Sequence, residues 1–158
     1  MKEKTSVILP GSYDPVTLGH LDVIRRAAEK YESVYAVVFI NPEKKYRFSL
    51  EDRVKMLILA TEELDNVIVS YSLGYVVDYM REHGIEKIVK GYRNETDLEY
   101  EREQARYNLC RGGYETEFLL ADEKYAGVSS TLARQALDRE LDLSEILPER
   151  VISFIENR

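Results

Sequence analysis

The chain has 158 residues, which is about the length of one domain and long enough to bury roughly 70% of the unfolded surface. Its formal net charge of −7 repels phosphates, so a broad nucleic-acid-binding surface is not expected unless positive charge is concentrated locally. Its 1 cysteine excludes an intrachain disulfide and a thiolate metal cluster, and its 2 histidines argue against a multi-histidine metal site.

Apolar residues along the chain predict strands that alternate with helices. The segment SVYAVVFI is almost wholly apolar, as expected for a strand buried on both faces of a sheet. The segment SLED resembles a capping box and opens a helix whose apolar positions are Val54, Leu57, Ile58 and Ala60. In chain order, we predict strand 5–9, helix 19–31, strand 33–40, a helix from Ser49, strand 66–71, helix 75–83, strand 86–91, helix 97–109, strand 115–121, helix 129–137 and helix 149–157.

This alternation predicts βαβ units, and therefore an α/β fold with a doubly wound, five-stranded parallel sheet covered by helices on both faces. No linker, repeat or low-complexity tract divides the sequence, so we expect a single domain over residues 1–158. The first apolar run is too short for a signal peptide, and no later run reaches the ~20 apolar residues of a membrane span. We therefore expect a cytoplasmic protein that binds neither membranes nor nucleic acid.

Four loops at the carboxyl ends of the predicted strands carry residues suited to binding anions. Ligands bind at this edge of an open parallel sheet, where glycines allow close approach and helix N-termini offer free N–H groups. The loops after strands one, two, four and five contribute, in turn, Gly11, Ser12, Asp14, Gly19 and His20; Lys44, Lys45 and Arg47; Lys90 and Arg93; and Gly127, Ser129 and Ser130. Together they predict a polyphosphate site.

Each loop taken alone is more often structural. Gly, Asp and Pro are ordinary turn residues, adjacent lysines are usually solvated, and serines before a helix usually cap it. Coincidence of all these features at one sheet edge favours the polyphosphate site. The chain has neither a Gly-x-x-x-x-Gly-Lys-Ser/Thr loop nor a Gly-x-Gly-x-x-Gly motif, which argues against P-loop enzymes and ordinary dinucleotide dehydrogenases.

Two segments resemble signatures of the nucleotidyltransferase superfamily. The segment PGSYDPVTLGH (10–20) resembles the Thr/His-x-Gly-His signature, and VSSTLAR (128–134) resembles the Ile-Ser-Ser-Thr-x-x-Arg motif. With NPEKK, FSLEDRV and KGYRNETDLEYE in matching order and spacing, nearly the whole chain resembles the bacterial-type phosphopantetheine adenylyltransferase family. The resemblance implies a Rossmann-like nucleotidyltransferase fold.

The resemblance also implies a reaction. ATP and 4'-phosphopantetheine would give 3'-dephospho-coenzyme A and pyrophosphate, a step of coenzyme A biosynthesis, with Mg2+ assisting. The phosphopantetheine phosphate would attack ATP directly and in line, with no covalent enzyme intermediate. Members of the family are commonly homohexamers and can be inhibited by coenzyme A, so both properties are expectations for this chain.

Site residues follow from the same resemblance. His20, Lys44 and Arg93 would be catalytic, with His20 stabilising the pentacoordinate transition state. Phosphopantetheine would be bound by Ser12, Lys44, Val76 and Lys90. ATP would be bound by Ser12, Tyr13, His20, Gly91, Tyr92, Arg93, Glu101, Tyr125, Ala126, Gly127, Val128, Ser129, Ser130 and Thr131. Arg134 would add positive charge one turn into the helix that follows, and no protein ligand of Mg2+ is implied.

Lys90 departs from the family pattern, which more often has arginine there. Lysine keeps the charge but loses the bidentate guanidinium fork. Two alternative functions stay open. One is another small-molecule nucleotidyltransferase, such as a nicotinamide mononucleotide adenylyltransferase, although several of those relatives have a histidine where this chain has Thr17. The other is a nucleotide sensor without catalysis.

Overall fold

The structure is a computed structural model and describes residues 2–158. The strands are β1 (Glu3–Gly11), β2 (Tyr31–Phe39), β3 (Val67–Ser72), β4 (Lys87–Tyr92) and β5 (Thr116–Leu120). The helices are α1 (Leu18–Lys30), α2 (Leu50–Thr61), α3 (Val76–His83), α4 (Glu95–Gly112), α5 (Ser130–Asp138) and α6 (Glu149–Glu156), with a short 3-10 helix at Glu123–Tyr125. None of the helices described in this range combines the length and apolar character needed to cross a membrane.

The five strands form one sheet in the order β3-β2-β1-β4-β5, and every neighbouring pair is parallel. The chain runs from β1 outward to β3, then crosses back to β4 on the other side of β1. This order confirms the predicted doubly wound α/β fold. It also creates a topological switch point between β1 and β4, where ligands bind in open α/β sheets.

Side chains of β1 alternate between two apolar cores, one on each face of the sheet. Val7 and Leu9 belong to the larger core, together with buried residues of α1 and α2. Ile8 lies between them in sequence and belongs to the smaller core, with Tyr79 and Met80 of α3. Because successive side chains of a strand point to opposite faces, helices on both sides are needed to bury this strand.

The pairing of β1 explains why a cleft opens in the sheet. Its ladder with β2 continues to the pair Gly11 and Val38, whereas its ladder with β4 contains only Val7 with Lys87 and Ile8 with Ile88. Beyond Ile8 the two central strands separate. Pro10 is tolerated inside β1 because β4 no longer pairs with β1 at this position, so the missing N–H of proline removes no hydrogen bond between strands.

The bounds of most elements differ from the prediction by one to three residues, and helices α4 and α2 show why the sequence was not sufficient. Helix α4 begins two residues earlier than predicted, because the Asn94 side chain accepts a hydrogen bond from Asp97 N (2.9 Å) and caps it. Of the apolar positions of α2 named from the sequence, Leu57 is fully buried and Val54 and Ala60 are half-buried against the larger core, whereas Ile58 is 46% exposed. The other buried positions of α2 are Arg53, Met56 and Thr61.

Gly91 allows α1 to lie close to β4. A Cβ atom at this position would come within 2.7 Å of Val23 Cγ2, and Val23 is 7% exposed and stiff at χ1 because it is β-branched. Gly91→Ala is therefore expected to lower the free energy of unfolding by about 1–3 kcal/mol. Urea denaturation measures the loss.

The matched variant for this test is Val23→Ala. If the clash with Val23 causes the loss, the double-mutant cycle gives a favourable coupling of at least about 0.5 kcal/mol. Strict additivity of the two changes would show that the close approach of α1 to β4 does not depend on Gly91.

Candidate active site

A cleft of about 440 Å3 lies between the carboxyl ends of β1 and β4 and is bordered by the first turns of α1 and α5. Most of the site residues proposed from the sequence line this cleft. They are Ser12, Tyr13, His20, Lys44, Lys90, Gly91, Tyr92, Arg93, Glu101, Tyr125, Val128, Ser129, Ser130, Thr131 and Arg134. The loops therefore converge as the sheet topology predicts.

Three residues of the family-based site do not line this cleft, and neither do Lys45 and Arg47 of the second loop. Ala126 and Gly127 are exposed in the turn between the 3-10 helix and α5. Val76 begins α3 and lines an adjoining cavity of about 290 Å3, which shares Ser12, Lys90 and Glu101 with the main cleft. The two cavities thus meet at these shared residues.

Helix capping fixes the tautomer of His20. Thr17 is the N-cap of α1, and its Oγ1 accepts a hydrogen bond from His20 N (3.2 Å). In return, Thr17 N donates to His20 Nδ1 (3.0 Å). Since Nδ1 accepts a proton here, the neutral ring carries its own proton on Nε2. Nε2–H has no hydrogen-bond partner among residues 2–158 and is available to a ligand in the cleft.

The surroundings of His20 keep the ring neutral. Burial, and then the positive charges of Lys90 and Arg93, lower the pKa of His20 to about 4. At neutral pH the imidazole is therefore a hydrogen-bond donor through Nε2 and carries no charge. Its chemistry is that of a fixed dipolar donor, and it does not supply a proton by titration.

The Ser12–Tyr13 turn is held in a constrained conformation. Tyr13 has φ 47°, in the left-handed region of backbone conformation that residues other than glycine rarely adopt. Its phenol is buried and donates to Leu9 O (2.8 Å), and its ring contacts His20 edge-on at 5.0 Å between centroids. Burial raises the pKa of the Tyr13 phenol, so it stays protonated and keeps this hydrogen bond.

Asp14 joins the first loop to the second. Its side chain is buried, and its two oxygens accept from Arg47 N (2.9 Å) and Phe48 N (2.9 Å). Arg134 Nη1 donates to Asp14 O (2.8 Å) and lies 3.8 Å from Asp14 Oδ2. One buried carboxylate therefore connects three of the segments that border the cleft.

Lys44 reaches the cleft from an exposed turn after β2. Its Nζ lies 5.5 Å from the centroid of the Tyr46 ring, and Lys44 N donates to Asn41 O (3.0 Å). No carboxylate lies within ion-pair distance of Lys44 among the described residues. Its charge is free to bind an anion.

Two further cations come from the end of β4. Lys90 Nζ lies 3.2 Å from Glu101 Oε2 and donates to Pro10 O (3.4 Å), so it spans the gap between β4 and β1. Asp97 Oδ2 accepts from Arg93 N (3.0 Å) and from Arg93 Nε (3.4 Å). The terminal nitrogens of Arg93 make no hydrogen bond within residues 2–158 and remain for a ligand.

The N-terminus of α5 supplies backbone donors. Ser129 Oγ accepts from Leu132 N (3.0 Å), and Ser130 Oγ donates to Pro15 O (2.8 Å). Both hydroxyls therefore fix the local structure, and the donors left for an anion are the N–H groups of the first helical turn. Arg134 Nη2 donates to Thr131 Oγ1 (3.1 Å) and brings positive charge to the same turn.

Comparisons with known proteins fit this geometry. The sequence profile of the cytidylyltransferase-like family matches residues 8–136. The chain is also 43% identical over 152 residues to a phosphopantetheine adenylyltransferase of Corynebacterium efficiens, with 96% of this chain and 96% of the relative covered. The chain belongs to the phosphopantetheine adenylyltransferase family. The family membership expected from segments 10–20 and 128–134 is confirmed.

Two side chains of this phosphopantetheine adenylyltransferase family member were not anticipated from the sequence. Asp97 orients Arg93 from the first turn of α4, and Arg53 lies buried beneath the first loop. The spacing of Arg53 with Met56 and Leu57 (i, i+3, i+4) is the signal that could have identified the buried face of α2.

Proposed function

We propose that this chain transfers the adenylyl group of ATP to 4'-phosphopantetheine, giving 3'-dephospho-coenzyme A and pyrophosphate. Membership of the phosphopantetheine adenylyltransferase family names the reaction. The observation that carries the proposal is the convergence on one cleft of a neutral His20, the cations Lys44, Lys90 and Arg93, and the N-terminus of α5. We propose that residues 1–158 act as one nucleotidyltransferase domain.

The chemistry is a direct displacement at phosphorus. An oxygen of the phosphopantetheine phosphate forms a bond to Pα of ATP, the bond from Pα to the bridging oxygen of Pβ breaks, and pyrophosphate leaves with that electron pair. No bond to the enzyme is made. Such a reaction requires alignment of two polyanions and stabilisation of charge that develops on the Pα oxygens.

His20 is placed to stabilise the negative charge that develops on the Pα oxygens. Its Nε2–H is a donor of fixed orientation at the N-terminus of α1, where the helix dipole also favours negative charge. A hydrogen bond to the pentacoordinate phosphorus centre strengthens as charge builds on its oxygens. His20 is proposed to stabilise the transition state in this way.

Cations in the cleft allow the two polyanionic substrates to be aligned, because they offset the repulsion between them. Lys44 and Lys90 are proposed to hold the phosphopantetheine phosphate, together with Ser12. Arg93 is proposed to bind the phosphates of ATP with the terminal nitrogens that Asp97 leaves free. The segment from Tyr125 to Thr131 is proposed to hold the β- and γ-phosphates, chiefly through backbone N–H groups.

The adjoining cavity suits the rest of the acceptor. It contains apolar surface from Val76, Phe39 and Ile40 and opens onto Ser12 and Lys90. A phosphate held at these two residues would leave the pantetheine arm in this cavity. Gly91, Tyr92 and Glu101 are proposed to lie beside the nucleotide in the main cleft.

Mg2+ is proposed to be bound through the substrates. Of the cleft carboxylates, Asp14 accepts two backbone N–H groups, Asp97 accepts from Arg93, and Glu101 faces Lys90. The described residues contain no cluster of three side chains suited to hold a metal. This arrangement fits an ion held mainly by ATP phosphates and water, where it would neutralise phosphate charge.

Cellular context and assembly are also proposals. A cytoplasmic location suits a reaction that uses ATP and a chain whose single cysteine forms no intrachain disulfide. A homohexamer and feedback inhibition by coenzyme A follow from the family resemblance. Exposed apolar side chains that include Tyr71, Leu73 and Tyr75 offer surface that subunit contacts could cover.

The deciding experiment is pyrophosphate release by the purified protein with ATP and Mg2+. Three reactions are run in parallel, with 4'-phosphopantetheine, with nicotinamide mononucleotide, and with no acceptor. Release with phosphopantetheine alone is expected. Pyrophosphate release with the mononucleotide alone would show that the acceptor is not phosphopantetheine. ATP binding without pyrophosphate release in any of the three reactions would identify a sensor.

Lys90→Arg tests the departure from the family pattern. We expect kcat to stay within about tenfold of the parent value, because the change remodels one charge-assisted contact and removes no charge. Steady-state pyrophosphate release measures it, with Lys90→Met as the variant that does remove the charge. Complete loss of turnover in Lys90→Arg would contradict the role given to Lys90.

A further inference from the structure

We propose that Arg53 is a positioning residue that holds the Ser12–Tyr13 peptide with its N–H group facing the phosphate cleft, and that ties the Lys44 segment to that peptide. Arg53 does not line the cleft, so it acts through the loops it binds. This inference rests on the proposed function, because it assigns a role in placing the phosphates of that reaction.

Arg53 is a buried cation without an acidic partner. The residue is 2% exposed, and no carboxylate lies within ion-pair distance among residues 2–158. Burying a charge in this way is costly, and an apolar side chain of similar volume generally stabilises a core at least as well. The fold of α2 therefore gives no reason for a guanidinium at this position.

The contacts of Arg53 go to the two loops that carry phosphate-binding residues. Arg53 Nη1 donates to Ser12 O (3.1 Å), and Arg53 Nε donates to Phe48 O (3.2 Å). Its guanidinium carbon lies 3.9 Å from the centroid of the Tyr46 ring. A planar fork of donors can make both carbonyl contacts and the ring contact at once, which an ammonium group cannot.

The contact with Ser12 O determines where the next N–H points. In a planar trans peptide the C=O of one residue and the N–H of the following residue point in opposite directions. Arg53 reaches Ser12 O from helix α2 and does not line the cleft, whereas Tyr13 does. Anchoring Ser12 O toward α2 therefore turns the Tyr13 N–H toward the cleft.

The Tyr13 N–H is available for a ligand. Tyr13 lines the cleft, and its N–H makes no hydrogen bond in the part of the chain that the structure describes. The positive φ of Tyr13 is a conformation that an unrestrained loop would seldom occupy. A contact that fixes the preceding peptide keeps this donor in place before the substrate arrives.

The contact with Tyr46 extends the same restraint to Lys44. The Tyr46 ring lies between Arg53 and Lys44. Its centroid is 3.9 Å from the guanidinium carbon of Arg53 and 5.5 Å from Lys44 Nζ. Tyr46 Oη also accepts from Asn41 N (2.8 Å), at the start of the turn that carries Lys44. Arg53 thus sets the distance between the cation of one loop and the backbone donor of the other.

The test compares Arg53→Met, Arg53→Lys and Leu57→Ala in the full-length protein. Met keeps the volume and removes every donor, whereas Lys keeps the charge and can reach one carbonyl. Leu57 is fully buried in the same helix and touches neither loop through a hydrogen bond, so Leu57→Ala controls for loss of stability. The readouts are kcat and KM for pyrophosphate release, the Kd of ATP, and the midpoint of urea unfolding.

We expect Arg53→Met to lower kcat by about 10²-fold and to weaken ATP binding by about tenfold, as when one preorganised donor is misplaced. Arg53→Lys is expected to recover about tenfold of the lost kcat, because one carbonyl contact returns. Leu57→Ala is expected to shift the unfolding midpoint while keeping kcat within about threefold at temperatures where it is folded.

Two results would overturn the positioning role. One is an Arg53→Met variant with kcat and ATP Kd within about threefold of the parent values. The other is an equal loss of kcat in Leu57→Ala, which would make the effect one of stability. If the parent protein binds ATP but releases no pyrophosphate with phosphopantetheine, the proposed function fails, and the ATP Kd of the variants still decides the role of Arg53.

Discussion

Replacing His20 with alanine is expected to lower kcat by about 10²- to 10³-fold while leaving the affinity for ATP nearly unchanged. Nε2–H is the neutral donor that α1 directs into the cleft, and the transition state needs that donor more than the ground state does. Steady-state pyrophosphate release gives kcat, and calorimetric titration with ATP in the absence of acceptor gives the affinity.

His83→Ala is the matched control, because it removes the chain's other histidine far from the cleft. His83 stacks on Tyr79 at 3.9 Å between ring centroids, near the end of α3. We expect this variant to keep kcat within about threefold of the parent. An unchanged kcat in His20→Ala would remove His20 from the mechanism.

The pH dependence of the same variant tests the neutral state. With a pKa near 4, His20 remains uncharged as the pH falls from 8 to 5, and it becomes protonated only as the pH falls through about 4. The ratio of parent kcat to His20→Ala kcat is therefore expected to be constant over the range from pH 8 to pH 5. A ratio that halves near the ordinary imidazole pKa of about 6.5 would show that the ring titrates during catalysis.

Asp14→Ala is expected to lower the free energy of unfolding by about 3–5 kcal/mol. Removing this carboxylate leaves Arg47 N and Phe48 N without an acceptor and takes a buried negative charge away from Arg134. Unfolding in urea, followed by circular dichroism, measures the loss. Because Asp14 joins the segments that carry His20 and Lys44, kcat is expected to fall as well.

The control for Asp14 is Asp138→Ala. Asp138 pairs with the side chain of Arg47, but it is exposed, so its loss is expected to cost less than about 1 kcal/mol. If Asp14→Ala does not fold, Asp14→Asn keeps the size of the side chain and one acceptor oxygen, and an intermediate loss is expected. A loss below about 1 kcal/mol in both Asp14 variants would contradict the connecting role.

The sheet could be predicted from the sequence because its signals are local and repeated. The segment 33–40 is almost wholly apolar, as expected for a strand covered on both faces, and Gly84 ends α3 in a left-handed conformation with φ 64°. The carboxyl-end rule then brings loops together without any knowledge of side-chain positions. His20, Lys44, Lys90 and Arg93 accordingly line one cleft.

Pairwise contacts within the site could not be predicted in the same way. The bond from Thr17 N to His20 Nδ1 depends on a rotamer, and the approach of Arg53 to Ser12 O joins residues 41 positions apart in the chain. The hydroxyls of Ser129 and Ser130 illustrate the same limit. Their sequence context suits both phosphate binding and capping, and only the geometry reveals that both already bind protein groups.

The capping of α1 has a consequence for how the protein responds to heat. The first turn of a helix opens more readily than the whole domain, and its amide protons then exchange with solvent. When that turn opens, Nδ1 loses the bond from Thr17 and the imidazole ring is free to rotate and to change tautomer. The fraction of competent molecules is therefore governed by one turn of helix. Heat inactivation should precede global melting, in step with deuterium uptake at the amide of His20.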